Sequence, residues 1–409
     1  MSDIRQSPIW IHNRYQSQFD LLGAMSEELC EAFIARGYNA KLRTLLPNDQ
    51  LDEGTLFIMN SDNALSGFPP ALFEPGSRMR AIQYYVDHPF GLSDGSIDLW
   101  NRANGLSNYR LALPCLDDVH LLRYRFPNLV HSWIPHGLPR SALCDLDTLT
   151  PERYAQREFD VVVTSSVRAQ EEIDRSIETI NDPGMVDMIN NIASIMIHDP
   201  HIGYINACDI VLGSRGIITG KWVTQKHFWN LVIAIVNRFR RIETVKALQG
   251  LRVGVFGSDE WDKHCTGTIH YAGQATYAQC AQAFSRGRVG LAWGPTQFVH
   301  SYSERIMQAM AGGACVVADD RMMVRHDFNG SMSASPASPT AKLFDWSGTN
   351  LGAAREAIDF QLAHPSESLE MARRGRIHAE KTCLWEHRVD QMMSLAASIP
   401  TPAPAETGV

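Results

Sequence analysis

Short apolar runs alternate with helical stretches through the first third of the chain. Pro8–His12 is a short apolar run. Residues 21–36 follow with helical spacing, with Leu22, Met25, Leu29, Ala32 and Phe33 on one face and Gly37 as the stop. Further strand-like runs stand at Ala40–Leu46, Leu56–Met59, Ala81–Val86, Arg110–Leu113 and Leu129–Ile134. Strands that alternate with helices predict an α/β domain with a mainly parallel sheet.

The pattern breaks after Gly137, where Pro139–Arg157 is a polar connector carrying Pro139, Pro151 and a charge cluster. It then restarts. Phe159–Thr164 is β-branched and nearly continuous, as a strand buried on both faces requires. Val167–Leu248 is mostly helical in composition. Strands are predicted at Leu251–Phe256, Thr268–Tyr271, Val289–Ala292 and Ala314–Ala318, with helices at Tyr277–Ser285 and Glu304–Ala311. Helical segments close the chain at residues 351–364 and 366–395, and the tail 398–409 is rich in Pro, Ala and Thr and reads as disordered. The expected organisation is a domain over 1–150, a second over 151–385, a crossing helix over 386–397 and the tail. Open α/β sheets bind ligands beyond the carboxyl ends of their strands, so two such domains predict a site in the cleft between them.

Composition narrows the chemistry. A chain of 409 residues with 44% hydrophobic and 20% charged residues buries a real core and is not disordered. Its 37 basic and 45 acidic residues give a net charge of −8, which argues against a general nucleic-acid binder. Any phosphate is expected at a local site. Apolar runs such as Leu231–Val236 fall far short of a membrane span, and Met1–Pro8 has no apolar leader core. The eight cysteines form no C-x-x-C pair, so neither a zinc site nor a disulfide framework is expected, and scattered thiols suit the cytoplasm.

The most informative stretch is 301–319. Ser303 is placed as the cap of the helix that begins at Glu304, whose carboxylate suits the positive helix end. Ile306, Met307, Met310 and Ala311 make an apolar face, and small residues at 309 and 311–313 permit close packing. A helix N-terminus with Arg305 in its first turn suits a phosphate, and Gln308, three residues on, faces the same way. A capped amphipathic helix with a surface arginine is the plainer reading of the same pattern.

The run Glu304-Arg305-x-x-x-Ala309-Met310-Ala311-x-Gly313-Ala314, ending in Val-Val-Ala-Asp, resembles the C-terminal signature of the CgeB-like (spore maturation protein-like) glycosyltransferases, a group within the GT-B fold class. Phe159–Ser166, Leu251–Ser258, His270–Gly273 with Tyr277, and Thr382–Arg388 resemble further segments of that family, so the likeness covers 159–395. It implies two Rossmann-like domains facing across a cleft, with a C-terminal helix crossing back. It implies a nucleotide-diphosphate sugar as donor substrate, no cofactor and no essential metal. Arg305 is implied to approach the diphosphate, with Glu304, Ser303, His300, Gly257, Ser258 and Ser165 around it. Tyr271 and Gly273 fall in the implied base-recognition segment. Gln308 stands where the family often has Glu on the ribose hydroxyls; Gln still bonds a diol but lacks the charge.

In the first half, Asp87 and His88 sit at a strand's carboxyl end, where a His beside a carboxylate suits a general base. The same residues suit a turn before Pro89. His12 and Asp20 flank the first strand–helix connection, and His136 follows a strand; all three are acceptor-site candidates. Asp117, Asp118 and His120 are read as a solvated turn, and Arg238, Arg241 and Lys246 as a solvated basic face. Trp229 reads as core.

The function these features support is transfer of a sugar from a nucleotide-diphosphate sugar to a glycan, protein or small-molecule acceptor. A non-catalytic nucleotide- or sugar-binding protein and a nucleotide-sugar epimerase are the alternatives. No G-x-G-x-x-G follows a strand, against an NAD-dependent oxidoreductase.

Overall fold

A computed structural model describes residues 7–12, 21–44, 51, 53–60, 77–87, 100–216, 226–329, 339–345, 350 and 352–399, without the side chains of 120, 121, 124, 125, 226 and 227. Asp20, His88 and residues 400–409 lie outside the described residues. The chain divides into two compact units, Met1–Pro139 with Leu384–Val409, and Arg140–Cys383.

The first unit holds β1 (Ile9–His12), α1 (Leu21–Ala35), β2 (Ala40–Arg43), β3 (Glu53–Met59), β4 (Arg78–Tyr84), β5 (Tyr109–Leu113), α2 (Leu116–Arg125) and β6 (His131–Trp133). Its strands pair in the order β2-β1-β3-β4-β5-β6, all parallel. The apolar runs of β3 and β5 are buried throughout because helices cover both faces of a parallel sheet. Gln83 stands inside this core with its Oε1 doubly bonded, as Trp100 Nε1 donates to it at 2.7 Å and Tyr109 OH at 2.5 Å, while its Nε2 is buried without a partner.

The second unit holds β7 (Phe159–Thr164), β8 (Val253–Phe256), β9 (Ile269–Tyr271), β10 (Gly287–Ala292), β11 (Cys315–Asp319) and β12 (Ala341–Phe344). Their order is β12-β11-β10-β7-β8-β9, again all parallel. Taken within the unit, this is the strand order of the dinucleotide-binding fold. Its strand order reverses between β7 and β10, the place where such sheets bind ligands. The helices are α3 (Pro151–Ala155), α4 (Gln170–Glu178), α5 (Pro183–His198), α6 (Tyr204–Ser214), α7 (Lys226–Lys246), α8 (Cys280–Ser285), α9 (Glu304–Ala311), α10 (Ala353–Ala363) and α11 (Pro365–Thr382). Residues 140–150, read from sequence with the first domain, pack into the second unit. Cys144 N donates to Ala311 O at 2.8 Å, and Arg373 and Arg376 bond the carbonyls of Leu149 and Cys144.

The expected helix over 366–395 is two, α11 and α12 (Trp385–Ala397), broken at Cys383-Leu384, and α12 belongs to the first unit. Trp385 anchors it. The indole is fully buried, and its Nε1 donates to Glu28 on α1 at 2.8 Å. Gly137 lies under the ring, where a Cβ would come within 2.4 Å of Trp385 Cδ2, so only glycine fits.

Candidate functional site

The carboxyl ends of the second unit's strands fall along one edge, as the register pairs Thr164 with Phe256 and Ala292 with Ala318. Just beyond β8, Gly257 carries no side chain because a Cβ would lie 1.8 Å from Ser165 O. This close approach ties the ends of β7 and β8 together, with Ser165 N donating to Phe256 O at 2.8 Å and Trp261 Nε1 to Ser165 O at 2.5 Å. Ser258, expected at the donor phosphates, has its hydroxyl bridging the main chain of Val167: it donates to the carbonyl at 2.8 Å and accepts from the amide at 2.9 Å. Gly257 and Ser258 thus shape the edge rather than present groups to a ligand.

Across the sheet reversal, α9 begins at Ser303 in the N-cap position. Its hydroxyl does not cap the helix. It is buried without a hydrogen-bond partner, as are the hydroxyls of Thr164 and Ser165 at the end of β7. Buried hydroxyls are almost always bonded, so three orphans around one strand reversal indicate a place that receives a polar ligand or water.

Arg241 on α7 supplies what the sequence reading missed. It is no part of a solvated basic face: it is half-buried, its NH1 donates to Ser166 O, and its Nε is buried without a partner. Burial, then the charge of Arg305, pushes its guanidinium down to about 9, with Glu304 acting in the opposite sense. Two guanidiniums, from α7 and α9, thus lie in electrostatic reach of each other beside the end of β7. In the sequence only the i, i+3 spacing from Arg238 sets Arg241 apart, and it does not mark the residue. Arg238 also leaves the expected face, paired with the nearly buried Glu260 at 3.1 Å and bonded to Arg168 O. Lys246 does stay on the surface, beside Glu243.

The other expected donor residues spread around this edge. Tyr271 OH donates to Asp259 Oδ1 at 2.7 Å and to Gly257 O at 3.2 Å; burial and then Asp259 push the phenol up to about 12. Gly273 O accepts from Gly257 N at 3.1 Å. Gln308 is 3% exposed and its Nε2 donates to Tyr277 O at 3.3 Å, which fixes α9 to the segment after β9. His300 is exposed on the loop before α9, and its carbonyl accepts from Met323 N. That loop is clamped from below by Arg321, which bonds Asp319 and the carbonyl of Phe298, while Asp319 Oδ1 accepts from Gly294 N at 2.9 Å.

In the first unit, the ends of β1, β3 and β4 align, as His12 pairs with Ile58 and Met59 with Tyr84. His12 is 3% exposed at the end of β1. Asp87 is exposed beyond β4 and accepts from Asn60 Nδ2 at 2.5 Å. His136 is buried, its Nδ1 3.3 Å from Tyr84 OH and its carbonyl accepting from Arg388 Nε at 2.9 Å. The expected solvated turn at 117–118 is corrected: Asp118 is 1% exposed. Burial first, then Asp117 and more weakly Asp87, hold its carboxyl well above the usual carboxylate range. Among the described residues no group of three or more His, Cys, Asp or Glu is placed to hold a metal ion. Among them, too, no helix is long and apolar enough to cross a membrane.

Comparison with known proteins bears on the same region. Residues 238–394 match the model of a family described as Glycosyl transferase-like, a span that contains Arg241, α9 and most of α12. An alpha-glucosyltransferase solved in complex with UDP and a 13-mer DNA containing a HMU base aligns over 96% of this chain and 100% of its own, at 9% identity and a TM-score of 0.51. The chain has the GT-B fold. This GT-B chain is also similar to sucrose-phosphate synthase from Thermosynechococcus elongatus, at 13% identity, 96% and 98% coverage and a TM-score of 0.49. A glycosyltransferase from Rickettsia africae aligns at 10% identity, 96% and 98% coverage and a TM-score of 0.49. No curated protein matches the sequence.

Proposed function

We propose that this protein is a glycosyltransferase that moves a sugar from a nucleotide-diphosphate sugar to an acceptor, within the CgeB-like group and in the cytoplasm. The second unit takes the donor. Its diphosphate lies between Arg241 and Arg305 at the end of β7, with the hydroxyls of Thr164, Ser165 and Ser303 as added donors. The observation that carries this reading is the placement of Arg241. A half-buried guanidinium with an orphan Nε, beside a second arginine, is costly in the free protein and is relieved by a bound dianion.

Catalysis then rests on electrostatic stabilisation of the departing diphosphate. We assign that charge to the two guanidiniums rather than to a metal. Asp87, exposed at the end of β4, is the base that takes the acceptor's proton. His12 and His136 belong with the acceptor side. The net charge of −8 favours a glycan, protein or small-molecule acceptor over a nucleic acid.

Gln308 supports a second reading, a non-catalytic nucleotide-binding protein, because its amide is already engaged with Tyr277 O. A melting screen against UDP, GDP, ADP and TDP tests the site itself: one of them should raise the melting temperature, and Arg305→Ala should remove the rise. No rise with any of the four contradicts the donor site. A rise without slow hydrolysis or transfer from the matching sugar nucleotides favours the second reading.

A further inference from the structure

Asn60 follows β3 directly and is the one non-glycine residue with positive φ, +37°, among the described residues. Few side chains accept that region of the backbone, and Asn is among them. The residue is 4% exposed, and its main-chain N and both side-chain polar atoms are directed at the exit of β4. Its main-chain N donates to Tyr84 O at 3.0 Å, Oδ1 accepts from Val86 N at 2.7 Å, and Nδ2 donates to Asp87 Oδ2 at 2.5 Å. The side chain thus extends the β3–β4 pairing past the strands and ends on the carboxylate. A turn in the left-handed region, held by three bonds to one neighbouring segment, is backbone strain retained for a geometric purpose.

A second carboxyl competes for the same role. Asp118, in the first turn of α2, feels the charge of Asp87, with Asp117 and Cys115 beside it. It is buried where Asp87 is exposed. Burial, more than the charge of Asp87, disfavours the ionised form of Asp118, whereas Asp87 is exposed and accepts from the Asn60 amide.

We propose that Asn60 is the positioning residue for Asp87: its amide fixes the carboxylate at the end of β4 and makes Asp87, not Asp118, the anion that faces the acceptor. The inference rests on the reading of Asp87 as the base. Asparagine suits this position because it joins three properties: tolerance of positive φ, an acceptor for Val86 N and a donor for Asp87. Aspartate offers the first two and lacks the third.

The test is a carboxyl NMR titration of the full chain labelled at Asp, with Asp87 assigned through Asp87→Asn. Asn60→Asp keeps the bond to Val86 N, removes the donor and adds a like charge, so the Asp87 midpoint should rise by about one pH unit or more. Asn60→Gly keeps the backbone conformation and should give a smaller rise; it carries the same readout if Asn60→Asp does not fold. The charge added by Asn60→Asp raises the Asp87 midpoint whatever Asn60 does, so Asn60→Gly decides: an unchanged Asp87 midpoint in this variant, folded, would overturn the proposal. In donor turnover, Asn60→Asp should lower kcat on the order of ten- to a hundredfold with the donor KM unchanged. Full turnover by Asp87→Asn would instead reject Asp87 as the base, a result separate from the titration.

Discussion

Replacing Arg241 by methionine removes one guanidinium from the proposed diphosphate site and keeps most of the side chain's apolar stem. Each pH unit corresponds to about 1.4 kcal/mol. The fall of the Arg241 guanidinium from 12.5 to about 9 therefore sets an upper bound of roughly 5 kcal/mol held against the cation in the free protein. Solvent reaching the half-buried side chain screens this to about 1–3 kcal/mol. Against it stands the loss of the bond from NH1 to Ser166 O, worth about 1.5–3 kcal/mol for a charged donor. The two nearly cancel, so Arg241→Met should leave the free protein within about 1 kcal/mol of the wild type in urea unfolding. The ligand-bound state should differ. A nucleoside diphosphate at a hundredfold its Kd stabilises the wild type by about 2.7 kcal/mol, or roughly 5–10 °C for a unit of this size. Arg241→Met should lose at least about half of that gain, because a charge-assisted phosphate contact is worth at least about a tenfold change in Kd, which leaves roughly 1.4 kcal/mol at the same nucleotide concentration. A variant that is destabilised by more than about 3 kcal/mol yet keeps the full nucleotide shift would refute this reasoning. It would make Arg241 a clamp on the turn after β7 and nothing more.

Three further outcomes follow from the packing. Gly257→Ala should cost about 3 kcal/mol or more in urea unfolding, since its Cβ would lie 1.8 Å from Ser165 O and only backbone movement relieves it; near-wild-type stability would show that the strand ends are not so closely joined. Arg321→Met should cost about 3–5 kcal/mol because it leaves the buried Asp319 without its cation, and pairing it with Asp319→Asn should recover part of the loss. Glu28, pushed up to about 8 chiefly by burial, keeps in the folded state a proton that the unfolded chain releases near 4.5. Its contribution is full below pH 4.5 and is lost as the pH rises towards 8, so the melting temperature should fall across that window, and Glu28→Gln should flatten the fall.

The sequence was most legible where one physical requirement dominates. Strands buried on both faces must be continuously apolar, so Phe159–Thr164 reads directly, and α9 reads from its apolar face and the glycines that follow. The edge strand Ala341–Phe344 was not legible, since only Ala341 and Phe344 are buried and the run is short. Site residues were legible only as types at strand ends. The exposure of Asp87 fits its reading, but the burial of Asp118 comes from the way α2 folds back over β5, which no local pattern encodes. Arg241 and Asn60 were missed for the same reason. One looks like any charge on a long helix, the other like any polar residue after a strand; their partners at Ser166 and Asp87 are 75 and 27 residues away. Ser258 shows the converse, a residue of the right type whose hydroxyl the main chain already occupies.

The most direct measurement is a co-crystal structure with the nucleoside diphosphate that raises the melting temperature most. Its phosphates should lie beside Arg241 and Arg305 at the end of β7, within hydrogen-bond distance of at least one of the Ser165 and Ser303 hydroxyls. A nucleotide bound in the first unit, or one whose phosphates touch neither arginine, would contradict the assignment of the donor site.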